Sequence, residues 1–276
     1  LTADPDPEVR RAAQRLNRSA SLPVLRIRSL GPFEVVRGDE TVSWKTMRVK
    51  PSVLMFLTAY LAVHPQGVPR ERVADEFWPD QPEKGRRHLT NLLSLLRQCL
   101  RPPDWEGELD YVARSQELLA LQSDAYWHDL DELDDCCRQA ARLVEQGQAE
   151  EASRRYQRAA QLYRGPYLEE CPMDWAQPVR SRAERQALEA MGFLGQHLLK
   201  TGRPREALEQ AVRLLEVDPC RQEAHLCATQ AYLAMRQYAD AVRQFETCRR
   251  ILRRELGMEP SLEMLEAYQR ARLSLA

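Results

Sequence analysis

The sequence predicts a mainly α-helical protein in which a small α+β domain precedes an all-α domain of helical repeats. The chain has 276 residues, which favours two domains over one. Short apolar segments broken by glycine and proline turns lie before residue 123, whereas helical periodicity continues from there to the end. In the second half, Gly202–Leu208 precedes the similar Arg236–Val242 by 34 residues, as expected of a repeat architecture.

The α+β domain is expected to cover residues 23–123, and to contain three strands, then three helices, then a hairpin. Alternating apolar residues bounded by turn residues predict the strands, and apolar residues recurring at helical spacing predict the helices. The predicted elements are strands around Gly31-Pro32 and Gly38-Asp39, helices from Pro51, over 69–77 and over 85–100, and hairpin strands over 111–114 and 118–121. We expect a truncation after Asp124 to leave this domain folded.

The all-α domain is expected to cover residues 124–276 and to resemble tetratricopeptide repeats. Ala207 and Ala241 occupy the same repeat position, where a small side chain lets paired helices approach closely. Asp218-Pro219 follows one helix pair at the place where tetratricopeptide repeats usually carry this dipeptide. Helices are predicted near 129–146, 149–163, 179–200, 204–216, 220–234, 237–254 and 260–274.

Bulk properties limit the function classes. The net charge is −1, so a nucleic-acid site requires a local basic patch. No apolar run reaches the length of a membrane span, and no signal peptide is visible, so no membrane association is expected. Residues 1–22 are polar and are interpreted as a linker or the tail of a missing upstream region, because the chain starts at Leu1 and suggests a fragment.

No catalytic, metal or cofactor motif is found, so an enzyme is not expected. The seven cysteines lack CxxC spacing and are interpreted as free thiols in a reducing cytosol. One acidic cluster near His128 is a candidate metal site, but acids at a helix start favour the positive end of the helix dipole, so a solvated helix start is expected. Its members are Asp129, Asp131, Asp134 and Asp135.

The third predicted helix carries the main candidate site. One face is a leucine stripe, and five Lys or Arg residues but no acid lie between Lys84 and Arg101. Such a helix suits the DNA major groove, because Arg bonds guanine edges and Asn or Gln bonds adenine edges. The expected base-reading residues, in the N-terminal half of the helix, are Arg87, Thr90, Asn91 and Ser94. The expected phosphate or wing contacts are Lys84, Arg86, Arg97, Arg101 and, at the hairpin, Arg114.

Several stretches together resemble one known family, the Streptomyces antibiotic regulatory proteins and related activators that carry a bacterial transcriptional activation domain. The resemblance covers about residues 24–274 and departs from the family at the hairpin, which ends in Leu-Ala-Leu rather than Gly-Tyr. The stretches that carry it are Leu25–Phe33, Lys50–Leu61, Val68–Pro79, His88–Leu100, Ala207–Pro219, Ala231–Phe245 and Ile251–Ser261.

The resemblance implies an OmpR-type winged helix-turn-helix domain followed by a tetratricopeptide-like activation domain. It further implies binding to double-stranded promoter DNA, often as a homodimer on direct repeats, and recruitment of the RNA polymerase holoenzyme through the loop Trp78–Gly85. The resulting expectation is a bacterial, cytoplasmic and nucleoid-associated transcriptional regulator, an activator by family, with no cofactor.

Two alternatives stay open from the residues alone. Clustered arginines opposite leucines also occur on ordinary solvated surface helices, so the chain can be a helical-repeat interaction module with a degenerate winged helix. The repeat groove can also bind an unknown small-molecule effector. Four aromatic residues are a candidate lining for such a pocket, although buried packing is the favoured interpretation: Trp127, Tyr163, Tyr167 and Trp175.

Overall fold

A computed structural model describes residues 23–45, 49–103, 110–113 and 118–275. It forms two compact units, and the mainly helical fold class with a small N-terminal sheet is confirmed. The first unit comprises the described residues up to Asp131 together with Arg164–Arg180. The second comprises Glu132–Tyr163 and the described residues from Ser181 onward.

The first unit contains two small sheets. In the four-stranded sheet the order is β3-β2-β1-β6, with antiparallel pairs except for β6, which adds in parallel to β1. β4 and β5 form a separate antiparallel pair. The strands are β1 Leu25–Arg28, β2 Glu34–Arg37, β3 Glu40–Thr41, β4 Val68–Pro69, β5 Leu118–Leu119 and β6 Tyr126–His128.

Ten helices are described, and most begin or end within two or three residues of the predicted bounds. Prolines at the first turn open three of them, because proline lacks an N–H that the first turn leaves without a partner. The helices are α1 Pro51–Ala62, α2 Arg70–Phe77, α3 Pro82–Leu100, α4 Asp129–Glu145, α5 Ala149–Leu162, α6 Ala176–Lys200, α7 Pro204–Val217, α8 Gln222–Ala234, α9 Tyr238–Leu256 and α10 Leu262–Leu273.

The winged-helix-like arrangement of the first unit forms around α1 to α3. Helix α1 is buried along most of its length, and α3 packs against both α1 and α2. After α3 in the chain, the amide of Ala113 donates to the carbonyl of Ala120 at 2.9 Å, and the amide of Gln122 donates to the carbonyl of Tyr111 at 2.9 Å. These hydrogen bonds join the two arms of the predicted hairpin, whose turn lies outside the described residues.

The first unit also includes a segment from the second half of the chain, Arg164–Arg180, which we call the return segment. The amide of Leu168 donates to the carbonyl of Ser29 at 3.1 Å, and Tyr167 is fully buried. The guanidinium of Arg180 holds the segment's own carbonyls, including that of Tyr167 at 2.9 Å. The predicted boundary at residue 123 therefore does not separate the two compact units.

Two glycine-proline turns meet where the return segment joins the end of β1. Gly31 has a φ of +102°, which favours glycine, and a Cβ there would lie 3.2 Å from the backbone carbon of Arg164. A Cβ on Gly165 would lie 3.3 Å from Cα of Gly31. This contact and strand β6 both involve residues beyond 124, so a fragment cut there would lack part of the core of the first unit.

The second unit has the expected tetratricopeptide-like packing of consecutive helices. Helix α7 packs on α8, α8 on α9, and α10 on both α8 and α9. The small residues predicted at the repeat positions, Ala207 and Ala241, are fully buried. A Cβ on Gly195 of α6 would lie only 2.8 Å from Sγ of Cys227 in α8, so these two helices approach at a distance that excludes any larger side chain.

Candidate nucleic-acid interface

Helix α3 separates its leucines from its polar residues as the sequence predicts. Its leucine stripe is buried, and the four expected base-reading residues all lie exposed on the opposite side. The buried set is Leu89, Leu92, Leu93, Leu96 and Leu100. The exposed set comprises Arg87, Thr90, Asn91 and Ser94, with Lys84, Arg86 and Arg101 also exposed.

The residues expected to contact phosphates differ in how strongly other side chains of the protein already hold them. Arg86 pairs with Glu83 one turn earlier, with Nη1 and Oε1 3.1 Å apart, and both side chains are well exposed. Such exposed pairs are weak and exchange readily for another anion. Arg97 instead lies partly buried with its Nε 3.0 Å from Oδ2 of Asp110, which is more buried still. Arg97 therefore has a structural partner, and Arg114 lies outside the described residues.

Arg70, at the start of α2, is a site residue that the sequence pattern did not reveal. Its Nη2 donates to Oγ1 of Thr90 at 3.2 Å across the α2–α3 turn. Since the threonine oxygen accepts this bond, its own O–H remains free to donate to a base edge or a phosphate. No local signal in the sequence marks a contact between residues 20 positions apart.

The C-terminal end of α3 is capped by a side chain from the sheet. Nη1 of Arg37 in β2 donates to the carbonyl oxygens of Cys99, Leu100 and Arg101 at 3.3, 3.0 and 2.8 Å. The last carbonyls of a helix have no partner within it, and a cation there interacts favourably with the helix dipole. The Arg37 side chain is only 10% exposed, so it ties α3 firmly to the sheet.

The N-terminal end of α3 packs on Trp78, the residue that follows α2. A Cβ on Gly85 would lie 3.0 Å from both Cβ and Cε3 of Trp78, so glycine allows the indole to lie directly against the helix. The same indole stacks on His88 one turn further along, with ring centroids 6.2 Å apart. The angle between α2 and α3 is therefore set by direct ring-to-backbone packing.

A series of aromatic contacts connects this turn with the return segment. Phe77 lies beside Trp78 with centroids 6.1 Å apart, and it meets Tyr60 edge-on at 5.6 Å. Tyr60 in turn meets Trp175 edge-on at 5.0 Å. Burial raises the pKa of the Tyr60 phenol above its ordinary value, with a further contribution from Glu76. The return segment thus supports the core under the exposed face of α3.

The aromatic residues considered as a pocket lining are placed differently from one another. Tyr167 is fully buried and packs edge-on against Trp175 with centroids 6.4 Å apart, inside the core of the first unit. Tyr163, in the second unit, is also buried, and Trp127 is half-buried. For Tyr163 and Tyr167 the structure agrees with the interpretation that they are buried by packing.

The acidic cluster near His128 is only partly a solvated helix start, so that interpretation was wrong for one member. Asp129 is 1% exposed, and its carboxylate accepts from the amide of Ser29 at 2.8 Å and from that of Leu30 at 3.1 Å. Nη2 of Arg164 lies 3.5 Å away. Buried carboxylates require such partners, and here they join α4, β1 and the return segment. Asp131 and Asp135 are exposed as expected, whereas Asp134 is half-buried, with its Oδ2 3.2 Å from Nη2 of Arg182.

Other chemistry finds little support in the described residues. All seven cysteines are free thiols, and burial raises the pKa of Cys137 to about 12 and that of Cys227 to about 11, so both stay protonated. Within the described ranges no three His, Cys, Asp or Glu side chains converge in a way that would hold a metal ion. Among the helices described, none combines the length and apolarity needed to cross a membrane.

Comparison with known proteins assigns the chain to a family. The family model of the bacterial transcriptional activator domain matches residues 128–272, more than half of the chain. The regulatory protein AfsR of Streptomyces griseus is 26% identical over 272 residues, which are 98% of this chain and 27% of AfsR. This chain therefore spans about a quarter of the length of AfsR.

A solved structure shows the same fold over most of the chain. Mycobacterium tuberculosis EmbR, in complex with a low affinity phosphopeptide, matches with a TM-score of 0.68 and 18% identity, covering 91% of this chain and 65% of that one. The resemblance to Streptomyces antibiotic regulatory proteins is confirmed by these matches, which point to a regulator rather than to an enzyme class. The chain belongs to the bacterial transcriptional activator domain family of transcriptional regulators.

Proposed function

We propose that the first unit binds double-stranded promoter DNA in a sequence-specific manner, with α3 in the major groove. The observation that carries this proposal is the exposed polar face of α3, where Arg87, Asn91 and their neighbours lie opposite a fully buried leucine stripe. A helix mounted in this way can enter a groove without uncovering apolar surface. Membership of a family of transcriptional regulators supports the same conclusion.

The exposed residues divide into two roles. Arg87 has the geometry to bond O6 and N7 of guanine, and Asn91 to bond N6 and N7 of adenine. Thr90 and Ser94 add hydroxyls to the same face, and Thr90 is held in place by Arg70. The exposed cations Lys84, Arg86 and Arg101 lie at the margins of this face and neutralise phosphates in the proposed complex.

Rigid mounting strengthens the proposal, because a base-reading helix binds better when its position is set before DNA arrives. Helix α3 is held at its C-terminal end by Arg37 and at its N-terminal end by Trp78. Between its two ends, α3 packs against α1 and α2.

We further propose that the unit contacts the RNA polymerase holoenzyme through the turn between α2 and α3. Pro79, Asp80 and Gln81 are exposed there, while Trp78 beneath them is anchored against Gly85. An exposed turn on an anchored base presents a defined surface beside the DNA-binding face. Family membership supports a role in activation.

The test is a fluorescence-anisotropy titration against DNA selected from a random promoter pool, repeated over a salt series. We expect Arg87→Ala and Asn91→Ala each to weaken binding by about 1 to 3 kcal/mol and to relax the preference at one base position. Arg86→Ala should weaken binding to all sequences and flatten the salt slope by about one unit. The matched control is Arg142→Ala, an exposed arginine of α4, which should change neither property.

Two outcomes would overturn the proposal. If the α3 variants kept full affinity and preference, the base-reading face would be assigned wrongly. Absence of binding even at low salt would favour the alternative of a helical-repeat interaction module, since phosphate contacts alone give measurable binding under those conditions.

A further inference from the structure

Helix α9 of the second unit carries four arginines that line an open cleft of about 530 Å³, which we call the arginine cleft. The residues that line it are Glu246, Arg249, Arg250, Arg253 and Arg254. At about 100° per residue these side chains cover about 140° of the helix surface, so they share one face. The face of α9 that packs into the unit is a different one, buried through Cys248 and Leu252.

The spacing of the four arginines does not favour the helix itself. Arg249 and Arg253 are four residues apart, and so are Arg250 and Arg254, a spacing at which like charges on a helix repel each other. The helix dipole offsets this repulsion in the last turn, which holds Arg253 and Arg254. Arg249 and Arg250 lie one turn earlier. Positive charge concentrated in this way raises the local concentration of anions.

Nearby acids neutralise the arginine cleft only in part. Arg249 pairs with Glu246, Arg253 with Glu259, and Arg254 with Glu255, and every side chain in these pairs is at least 40% exposed. Exposed pairs of this kind are weak and exchange readily for another anion. Arg250 is exposed and forms no ion pair with any residue that the structure describes.

The guanidinium groups on either side of Arg250 are held in place and still have donors to offer. Glu259 accepts from Nε and Nη2 of Arg253 at 2.6 and 3.1 Å, which leaves both hydrogens of Nη1 free for a ligand. The guanidinium of Arg249 lies 5.9 Å from the ring centroid of Phe245, and that ring is 1% exposed and stacks on Tyr268. Donors that are fixed before the ligand arrives lower the entropy lost on binding.

We propose that the arginine cleft binds a small anion with a chain of two or more phosphate groups, either a nucleoside polyphosphate or inorganic polyphosphate. Guanidinium groups bind phosphate oxygens bidentately, and four of them exceed what one phosphate needs. A carboxylate ligand would only repeat what Glu246, Glu255 and Glu259 already supply. The cleft volume falls within the range of small-molecule sites, about 300 to 1,000 Å³.

The test is isothermal titration calorimetry of the whole chain with inorganic triphosphate and with ATP, without divalent metal ions or DNA. We expect one site with a dissociation constant of roughly 10 to 100 µM, because the cleft is open and charged pairs in it are screened by salt. Arg250→Ala should weaken binding at least about tenfold. Arg243→Ala is the matched control, since it removes an arginine of the same helix that pairs with Asp240 outside the cleft, and should change binding less than about twofold.

Glu246→Gln separates anion binding from a role of the arginines in the helix alone. This variant removes the acid that lines the cleft, so the affinity for triphosphate should rise by about threefold or more. A purely structural role of the pair with Arg249 predicts no such gain. Circular dichroism confirms that each variant is folded.

The two ligands identify the source of the phosphate chain. Equal affinities for triphosphate and ATP mean that the phosphate chain alone is recognised, whereas tighter binding of ATP means that the nucleoside also contacts the protein. Absence of binding, or binding of single inorganic phosphate as tight as that of triphosphate, would overturn the proposal. So would binding that Arg86→Ala/Arg101→Ala on α3 abolishes and Arg250→Ala leaves intact. None of these outcomes bears on DNA binding, which the variants of Arg87 and Asn91 test.

Discussion

Replacing Arg37 tests how firmly the sheet holds the proposed recognition helix. In Arg37→Met the aliphatic stem is kept and the guanidinium is lost, so three carbonyl oxygens at the end of α3 lose their shared donor. Nη1 has two hydrogens, so these contacts amount to about two charge-assisted bonds. With partial rehydration of the exposed end and a dipole contribution, we expect a loss of about 2 to 3 kcal/mol.

The assay is urea unfolding followed by tryptophan fluorescence. The segments Glu132–Tyr163 and Ser181–Ala276 contain no tryptophan, so the signal reports the first unit alone. Arg37→Lys keeps the charge and should lose less than Arg37→Met. Arg26→Met changes an exposed arginine of β1 and serves as the control, expected within about 0.5 kcal/mol of the parent.

A loss below about 0.5 kcal/mol for Arg37→Met would refute the reasoning, because it would mean that water replaces the cap without penalty. DNA affinity gives a second check. The base-reading residues lie in the N-terminal half of α3, so loosening its far end should weaken binding less than Arg87→Ala does.

Three further predictions concern packing, a buried acid and pH. Gly85→Ala should destabilise the first unit by about 1 kcal/mol, because its Cβ would crowd Trp78. Gly192→Ala in α6 should instead stabilise the chain, because its Cβ would make only an ordinary contact at 3.8 Å with Cδ1 of Leu214. Thermal unfolding of both variants would show the opposite signs. Asp129→Asn should lower the free energy of unfolding by about 2 to 3 kcal/mol in urea titrations, and an unchanged midpoint would contradict its role as acceptor. Burial lowers the folded-state pKa of His225 below its ordinary 6.5, so the unfolded chain takes up the proton first and stability falls as pH drops below 6.5. Parent and His225→Gln stabilities compared at about pH 7.5 and 5.5 should show a smaller drop in the variant.

The helices and the exposed face of α3 could be predicted because both depend on local periodicity. The leucines of α3 recur at helical spacing, and that spacing alone separates them from Arg87 and Asn91. The repeat helices follow in the same way from glycine and proline breaks and from the matched alanines at 207 and 241.

The features that the sequence did not predict depend on contacts between residues that lie far apart in the chain. Strand β6 is three residues long and exists because β1 offers a free edge for parallel pairing. In the sequence Arg37 is an ordinary polar strand residue, and only the fold places it beside the end of α3. Asp129 belongs to a cluster whose sequence is typical of a solvated helix start, and only its three close donors, the amide and hydroxyl of Ser29 and the amide of Leu30, reveal a buried acceptor. Side-chain bonds across 60 to 100 positions leave no periodic signal.

The return segment has a consequence for the order of events during synthesis on the ribosome. The first unit takes its last residues from Arg164–Arg180, so more than half of the chain must emerge before that unit can close. Translation adds about 5 to 20 residues per second, so several seconds pass between the synthesis of α1, which has many buried residues, and the synthesis of Tyr167 and Trp175. The nascent winged helix therefore exposes apolar surface during this interval, and a gene fusion that grafts it elsewhere must carry the segment along.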